Sequence, residues 1–268
     1  MLRSIKTGLR NWGKALTTRQ EIQCQKLLNK EFPKVNFRGI KQTLVIDEYK
    51  VAYNKIHKNG STSMMVLWNS VLSGSVESRK VAMRKLRRIS SLSETEIREL
   101  KTYRWLLITR NPYARVLSAF FDKFRREKIT STLGTFALTP DGFKDFVRWL
   151  EDGNLDKNHH WDLQINEMLL PIFGYSDIIR LENLHSDVPA FFRKIGVPVE
   201  KLDFKGAYQS GSTHRTGSDS RMEACYAGDT QERVYKLFEA DFLTLGYGPN
   251  LDGTPTTQDM LSRDTVIS

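Results

Sequence analysis

The alternation of apolar and polar residues divides the chain into short strands and longer helices. Two runs rich in β-branched and aromatic residues, 43–46 and 51–56, predict strands. The segment 64–72 is apolar on nearly every side, which predicts a buried helix. Trp105–Thr109 is a short apolar run typical of a central strand, and 176–181 predicts another strand.

Helix signals alternate with these strands. Asn111 followed by Pro112 is typical of an N-cap and a first helical position. Further helix starts are predicted at Thr139–Pro140, at Asn183 and at the Asp229/Glu232 capping pattern. Strands that alternate with helices favour an α/β fold, with a central, mainly parallel sheet flanked by helices on both faces.

Two polar segments interrupt this alternation. The basic stretch Arg79–Arg104 predicts a partly exposed helical region, and Lys205–Asp219 predicts a loop rich in Gly, Ser and Thr. Within that loop, His214 and Arg215 either close over a bound ligand or face solvent. The chain is expected to divide into a basic helical segment (1–40), one α/β domain (41–249) and a polar tail (250–268).

The composition points to an anionic partner. The 268 residues include 41 Lys and Arg against 31 Asp and Glu, a formal charge of +10. The two cysteines fit neither a disulfide framework nor a zinc site, and no apolar run is long enough to cross a membrane. A cytoplasmic location is therefore expected. The segment 1–40 is either an ordinary basic surface helix or an amphipathic helix that contacts membranes or directs targeting.

A short loop, residues 58–63, joins the second strand to the buried helix. It contains one Lys, one Gly and three hydroxyl side chains. Backbone N–H groups and the positive dipole end at a helix start favour an anion there. Because Lys58 precedes the only Gly of this loop, the loop is not a Walker A motif, which weakens a kinase interpretation. The alternative is a plain strand-to-helix turn.

A second phosphate-suited junction follows the central strand. Arg110 ends that strand, and Ser118 lies on the helix that follows. A guanidinium and a hydroxyl can hold a phosphate monoester if it lies along the flank of the helix. The alternative is a surface Arg and a Ser that bonds to its own helix backbone.

Together the two junctions resemble the donor-binding motifs of sulfotransferases that use 3′-phosphoadenosine 5′-phosphosulfate (PAPS). His57–Met65 is similar to their 5′-phosphosulfate loop, and Arg110–Ser118 to their 3′-phosphate element. Further similarity to the carbohydrate sulfotransferases of the chondroitin 4-O- and HNK-1 types lies in residues 158–161, 179–184 and 237–247. The resemblance covers about residues 50–247 and implies their P-loop-like nucleotide-binding fold.

The resemblance also implies roles for individual residues. The 5′-phosphosulfate ligands would be Lys58, Asn59, Gly60, Ser61, Thr62 and Ser63, and the 3′-phosphate ligands Arg110 and Ser118. The implied reaction is in-line transfer of the sulfuryl group from PAPS to a carbohydrate hydroxyl. Lys58 would stabilise charge that develops on the leaving oxygen, and no metal is required.

The base that takes the hydroxyl proton has several candidates. His160 is the first choice because its pairing with Trp161 matches the family, and a neutral imidazole accepts a proton at neutral pH. His159 and Glu77 are alternatives, and a structural role for His160 is a further one. His57 is expected to orient the loop.

Two departures separate the chain from the animal members of that branch. Met168–Pro171 replaces their Cys pair, and their membrane anchor has no counterpart in this sequence. The expectation is therefore a soluble relative, with a bacterial source as one interpretation.

The acceptor is expected to be a carbohydrate. The basic runs Arg79–Arg104 and 123–126 either attract an anionic polysaccharide or form solvated helix faces. Trp149 and Trp161 either stack on sugar rings or pack in the core. The rival interpretations are a nucleotide kinase and a non-enzymatic binder of nucleic acid or membranes, and no nucleic-acid motif supports the second.

Overall fold

The computed structural model describes residues 19–75, 78–125, 135–210 and 221–254. Its sheet has the strand order β3-β1-β2-β4-β5. The strands are β1 (Thr43–Ile46), β2 (Val51–Asn54), β3 (Arg87–Arg88), β4 (Arg104–Thr109) and β5 (Asp177–Arg180). The helices are α1 (19–31), α2 (Phe37–Ile40), α3 (Ser61–Ser73), α4 (Arg79–Lys85), α5 (Glu94–Glu99), α6 (Pro112–Phe124), α7 (Pro140–Trp149), α8 (Leu184–Lys194), α9 (Phe204–Ser210), α10 (Met222–Cys225), α11 (Thr230–Leu237) and α12 (Glu239–Leu245).

The predicted α/β fold is confirmed, and the sheet itself is mixed. Strands β2, β4 and β5 are parallel, whereas β1 is antiparallel to both β2 and β3. The reason is local: a single helical turn, Asp47–Tyr49, joins β1 to β2 and reverses the chain through Lys50 in the left-handed region. A connection this short allows only antiparallel pairing.

Both faces of the sheet are covered by helices. In β4, Trp105 and Leu107 pack with α6 and α7, whereas Leu106 and Ile108 pack with α3 and α8. This alternation follows from the period of two along a strand. Residues of α1 and α2, including Leu28 and Ile40, join the first of these two cores.

Several local predictions need correction. Asp229 does not cap its helix, because its backbone is already helical and its carboxylate lies 3.5 Å from Arg233. The predicted loop over Lys205–Asp219 contains helix α9, where Gly206 N–H donates to the carboxylate of Asp203. The stretch Arg79–Arg104 is broken by β3, which pairs with β1.

Some predicted features lie outside the described residues: residues 1–18 of the basic segment, Glu77, Arg126, His214 with Arg215, and residues 255–268 of the polar tail. Within the described ranges, no helix combines the length and the apolar character needed to span a bilayer.

Candidate active site

The loop after β2 presents backbone donors at the start of α3. Lys58 and Gly60 both have φ of 68°, and Gly60 is the N-cap of the helix. A Cβ at Gly60 would lie 2.7 Å from Leu181 Cδ1, so glycine is favoured here both by the left-handed backbone and by the contact with that side chain. Because a first helical turn has no intrahelical acceptors for its N–H groups, Ser61 to Ser63 offer donors at this point.

The two predicted junctions lie side by side. Strands β2 and β4 are parallel neighbours, so the residues that follow them meet at one edge of the sheet. Arg110 Nη1 donates to the carbonyl oxygen of Lys58 at 3.0 Å. The structure therefore brings together two sequence elements that are 52 residues apart.

Gln164 joins these elements and was not found from the sequence. It is fully buried; its Nε2 donates to Arg110 O at 2.8 Å, and its Oε1 accepts from Arg110 N at 3.0 Å. Oε1 also accepts from Asn59 Nδ2 at 2.7 Å. The side chain of Asn59 is thus directed into the protein, where it also donates to Ile108 O at 2.8 Å.

Helix α6 supplies a carboxylate to Lys58. The helix begins as predicted, with Asn111 Oδ1 accepting from Tyr113 N, and it places Ser118 in a buried position. Asp122, one turn after Ser118, has Oδ2 3.3 Å from Lys58 Nζ. Burial lowers the pKa of Lys58 to about 8, although the charge of Asp122 opposes this shift. Lys58 therefore remains mostly charged at neutral pH.

Three histidines converge beside this ion pair, and we call them the histidine cluster: His57, His159 and His160. The ring centroid of His57 is 4.1 Å from that of His159 and 4.8 Å from that of His160. One nitrogen from each ring lies within 4.8 Å of the others. The sequence indicated His160 as a base but gave no sign that His57, about one hundred residues earlier, lies beside it.

The hydrogen bonds of His160 leave it able to accept a proton. Asn158 Oδ1 lies 2.8 Å from His160 Nδ1 and also accepts from His160 N. Because an amide oxygen only accepts, Nδ1 carries the hydrogen and Nε2 keeps its lone pair. Burial, followed by the charges of Lys123 and other neighbours, lowers the pKa of His160, so the ring is neutral at pH 7.

Arg115 ties the histidine cluster to the loop. It is fully buried, and its Nε donates to His57 O at 3.0 Å. Its Nη1 donates to Asp162 O, and its Nη2 is 2.9 Å from Glu167 Oε1. The sequence motif contains Arg115, but only the structure shows that it spans the two segments.

Glu167 completes this buried network. Its Oε2 accepts hydrogen bonds from His57 Nδ1 and, at 3.3 Å, from His57 N. Burial alone would raise the pKa of Glu167, but the hydrogen bond from His57 and the charge of Arg115 outweigh it and lower the pKa. Glu167 is therefore a carboxylate at neutral pH, and nothing in the sequence distinguishes it from other acidic residues.

A model of the sulfotransferase family matches residues 41–248. The match covers more than half of the chain and includes every candidate site residue. The chain belongs to the sulfotransferase family. No solved structure matches it significantly.

The similar proteins in this family include carbohydrate sulfotransferases. The chain is 28% identical over 248 residues to human carbohydrate sulfotransferase 10, covering 76% of this chain and 66% of that protein. It is 26% identical over 193 residues to carbohydrate sulfotransferase 12 of Xenopus laevis, covering 61% of this chain and 43% of that protein. Human carbohydrate sulfotransferase 9 is 21% identical over 244 residues, covering 79% of this chain and 54% of that protein. The chain thus spans about two thirds or less of these three relatives.

Within this member of the family, the remaining similar segments support the junction after β4. Glu182 Oε1 accepts from Asn111 N at 2.8 Å, and Glu182 Oε2 accepts from the hydroxyl of Tyr247 at 3.0 Å. Arg180 Nη2 donates to Gly246 O at 2.7 Å. Glu182 thus links Tyr247 to the start of α6, next to Arg110.

Trp149 and Trp161 are packing residues in this member of the family. Trp161 is fully buried, and its Nε1 donates to Asn154 O at 3.1 Å. Its ring contacts Phe146 and Trp149, with centroid separations of 5.5 and 5.7 Å. The core-packing interpretation is therefore confirmed for Trp161, and sugar stacking on that ring is wrong. Trp149, half-buried, packs against the same core.

Proposed function

We propose that the protein transfers the sulfuryl group of PAPS to a hydroxyl of a carbohydrate acceptor. The observation that carries the proposal is the contact of Arg110 with the Lys58 carbonyl, braced by Gln164. It joins the two elements that resemble the phosphosulfate and 3′-phosphate sites. The family match supports the same reaction class, and the names of the similar proteins support a carbohydrate acceptor.

The site residues would have separate roles in donor binding, charge stabilisation and proton transfer. The α3 N-terminus with Ser61, Thr62 and Ser63 would bind the 5′-phosphosulfate, and Arg110 with Ser118 the 3′-phosphate. Lys58 would stabilise the negative charge that grows on the bridging oxygen as the bond to sulfur breaks. A neutral His160 would take the proton of the attacking hydroxyl at Nε2.

Nucleotide selectivity tests the donor. We expect adenosine 3′,5′-bisphosphate to raise the thermal unfolding midpoint well beyond ATP or AMP, because only the bisphosphate carries phosphates at both positions. Arg110→Ala should abolish this difference. Arg148→Ala, which removes an exposed Arg from α7, is the matched control and should retain it. Equal stabilisation by all three nucleotides would contradict the proposal.

Transfer itself tests the acceptor class. Incubation with ³⁵S-labelled PAPS and a set of neutral and anionic oligosaccharides should label at least one carbohydrate. Because the chain has a net charge of +10, we expect anionic acceptors to be preferred at low salt. Label that appears on a protein or small phenol, with none on any glycan, would exclude the carbohydrate assignment while leaving the donor assignment intact.

A further inference from the structure

The buried pair His57–Glu167 has no role in the transfer described above. Glu167 is 2% exposed, and its two oxygens are taken by His57 and Arg115. A carboxylate on Nδ1 fixes the hydrogen of the imidazole at that nitrogen and leaves Nε2 as an acceptor. His57 can therefore accept a proton at Nε2, and the carboxylate of Glu167 would neutralise the resulting imidazolium.

His160, by contrast, is poorly placed to keep a proton. Its Nδ1 partner is the neutral amide of Asn158. Burial and the positive charges of Lys123 and Lys58 disfavour an imidazolium at this position. His160 can therefore accept a proton in a transition state, but a charge that stays there is not compensated by its hydrogen-bond partner.

The two rings are close enough to exchange a proton. Their centroids are 4.8 Å apart, and the ring of His159 lies 4.1 Å from His57 and 4.3 Å from His160. Since one nitrogen of each ring lies within 4.8 Å of the others, a modest ring rotation or one bridging water connects them.

We infer that His57, with Glu167 as its counter-ion, receives the hydroxyl proton from His160 and holds it during sulfuryl transfer. The acceptor oxygen forms its bond to sulfur as the bond from sulfur to the bridging oxygen of the bisphosphate breaks. The hydroxyl proton moves to His160 Nε2 and then to His57 Nε2, which leaves His160 neutral and His57 as an imidazolium paired with Glu167. His57 thus acts through His160, and this role rests on the proposed function.

The charges around His57 determine how it responds to pH. Burial lowers its pKa, and the charges of Lys55 and Arg115 act in the same direction. Glu167 opposes them and is the negative group in contact with the ring. Removing the charge of Glu167 must therefore lower the pKa of His57 further.

The first test is His57→Asn, which keeps a side-chain N–H donor near Glu167. We expect kcat to fall roughly 10- to 100-fold, a loss typical of a proton-transfer group, while stabilisation by adenosine 3′,5′-bisphosphate stays within twofold in apparent affinity. His185→Asn makes the same change at α8, outside the histidine cluster, and should leave kcat within twofold. A kcat within twofold of wild type in His57→Asn would overturn the inference.

The pH profile separates a proton carrier from a structural residue. In Glu167→Gln the acid limb of kcat should move to lower pH, because His57 loses the charge that favours its protonated form. An unmoved limb in the folded variant would overturn the inference. Since this change also leaves Arg115 without its carboxylate, His57→Ala supplies an independent measurement: added imidazole should restore part of its kcat, and no recovery would likewise refute the relay.

These outcomes are separate from those of the proposed function. Wild-type protein that neither responds to adenosine 3′,5′-bisphosphate nor transfers sulfate would refute the function itself. Wild-type transfer together with an active His57→Asn variant would refute the relay alone.

Discussion

The donor side and the histidine side of the site are held together by different chemistry. On the donor side, neutral amides fix the backbone, where Gln164 links Asn59 to Arg110, and the ion pair of Lys58 with Asp122 involves side chains only. Ions fix the histidine side, where Arg115 and Glu167 hold the loop. Amide contacts do not change in mildly acidic solution, whereas histidines and carboxylates titrate there. The comparison indicates that nucleotide binding and proton transfer can respond independently to pH.

Arg115→Met should have the largest effect on stability, because it removes the buried cation of the histidine side. It leaves the buried carboxylate of Glu167 without a cation, and breaking a buried pair costs about 3–5 kcal/mol. Urea unfolding at pH 7 measures the loss. Arg148→Met, which removes an exposed ion pair on α7, should change the free energy of unfolding by less than about 1 kcal/mol. Equal losses in the two variants would show that the histidine side does not depend on the buried cation of Arg115.

Gln164→Leu should have an intermediate effect on stability, because it removes the amide that links Asn59 to Arg110 on the donor side. Arg110 N–H and C=O and the amide of Asn59 each lose a partner, at a cost of about 1–3 kcal/mol for an unsatisfied buried group. The loss should be the same at pH 5 and pH 8, and bisphosphate binding should weaken because Arg110 is no longer braced. The control Gln231→Leu removes a hydrogen bond to Pro249 O and leaves the contacts of Gln164 with Arg110 and Asn59 in place. A loss that varies strongly with pH would contradict the assignment.

The smallest effect on the free energy of unfolding should come from His160 of the histidine cluster, as the pH is lowered. In the unfolded chain a histidine has a pKa near 6.5, whereas His160 has a lowered pKa in the folded protein. The unfolded state therefore binds more protons, and stability falls as pH drops below about 6.5. Between pH 7 and pH 5, wild type should lose about 2 kcal/mol more than His160→Asn in urea unfolding, because the unfolded histidine takes up a proton that the folded one does not.

Asp241 changes stability in the opposite direction as pH falls, so the effect of His160 has to be measured as a difference between wild type and His160→Asn. Burial raises the pKa of Asp241 to about 6, so the folded state takes up a proton there more readily than the unfolded state. Protonation of Asp241 therefore raises the free energy of unfolding as pH falls through that range. The difference between wild type and His160→Asn cancels its contribution, and parallel pH curves for the two proteins would show that His160 is not held neutral.

The features that the sequence predicted well are local. The strand at 43–46, the apolar run before Arg110 and the Asn111–Pro112 helix start depend on neighbours in the chain, and all three are confirmed. Asp229 shows the limit of such patterns: the spacing to Glu232 is correct, but the backbone of Asp229 is helical and its side chain turns towards Arg233.

The supporting residues of the site could not be predicted, because their role depends on tertiary contacts. Gln164 and Glu167 lie in an irregular segment between α7 and β5, where no periodicity marks a buried position. Asp122 is adjacent to Lys58 only because α6 packs beside the loop. The binding roles of Lys58, Arg110 and Ser118 stay predictions until a nucleotide is bound.

The amide of Gln164 imitates the edge of a neighbouring strand. It accepts from the N–H of Arg110 and donates to its C=O, as a paired residue in a ladder would do. Strand β4 is in effect extended by one rung that belongs to a side chain. The backbone of Arg110 is thereby preorganised before any nucleotide arrives, so little conformational entropy is lost there on binding. Anyone who wishes to redesign the donor preference of this scaffold should therefore keep position 164 constant and vary its surroundings.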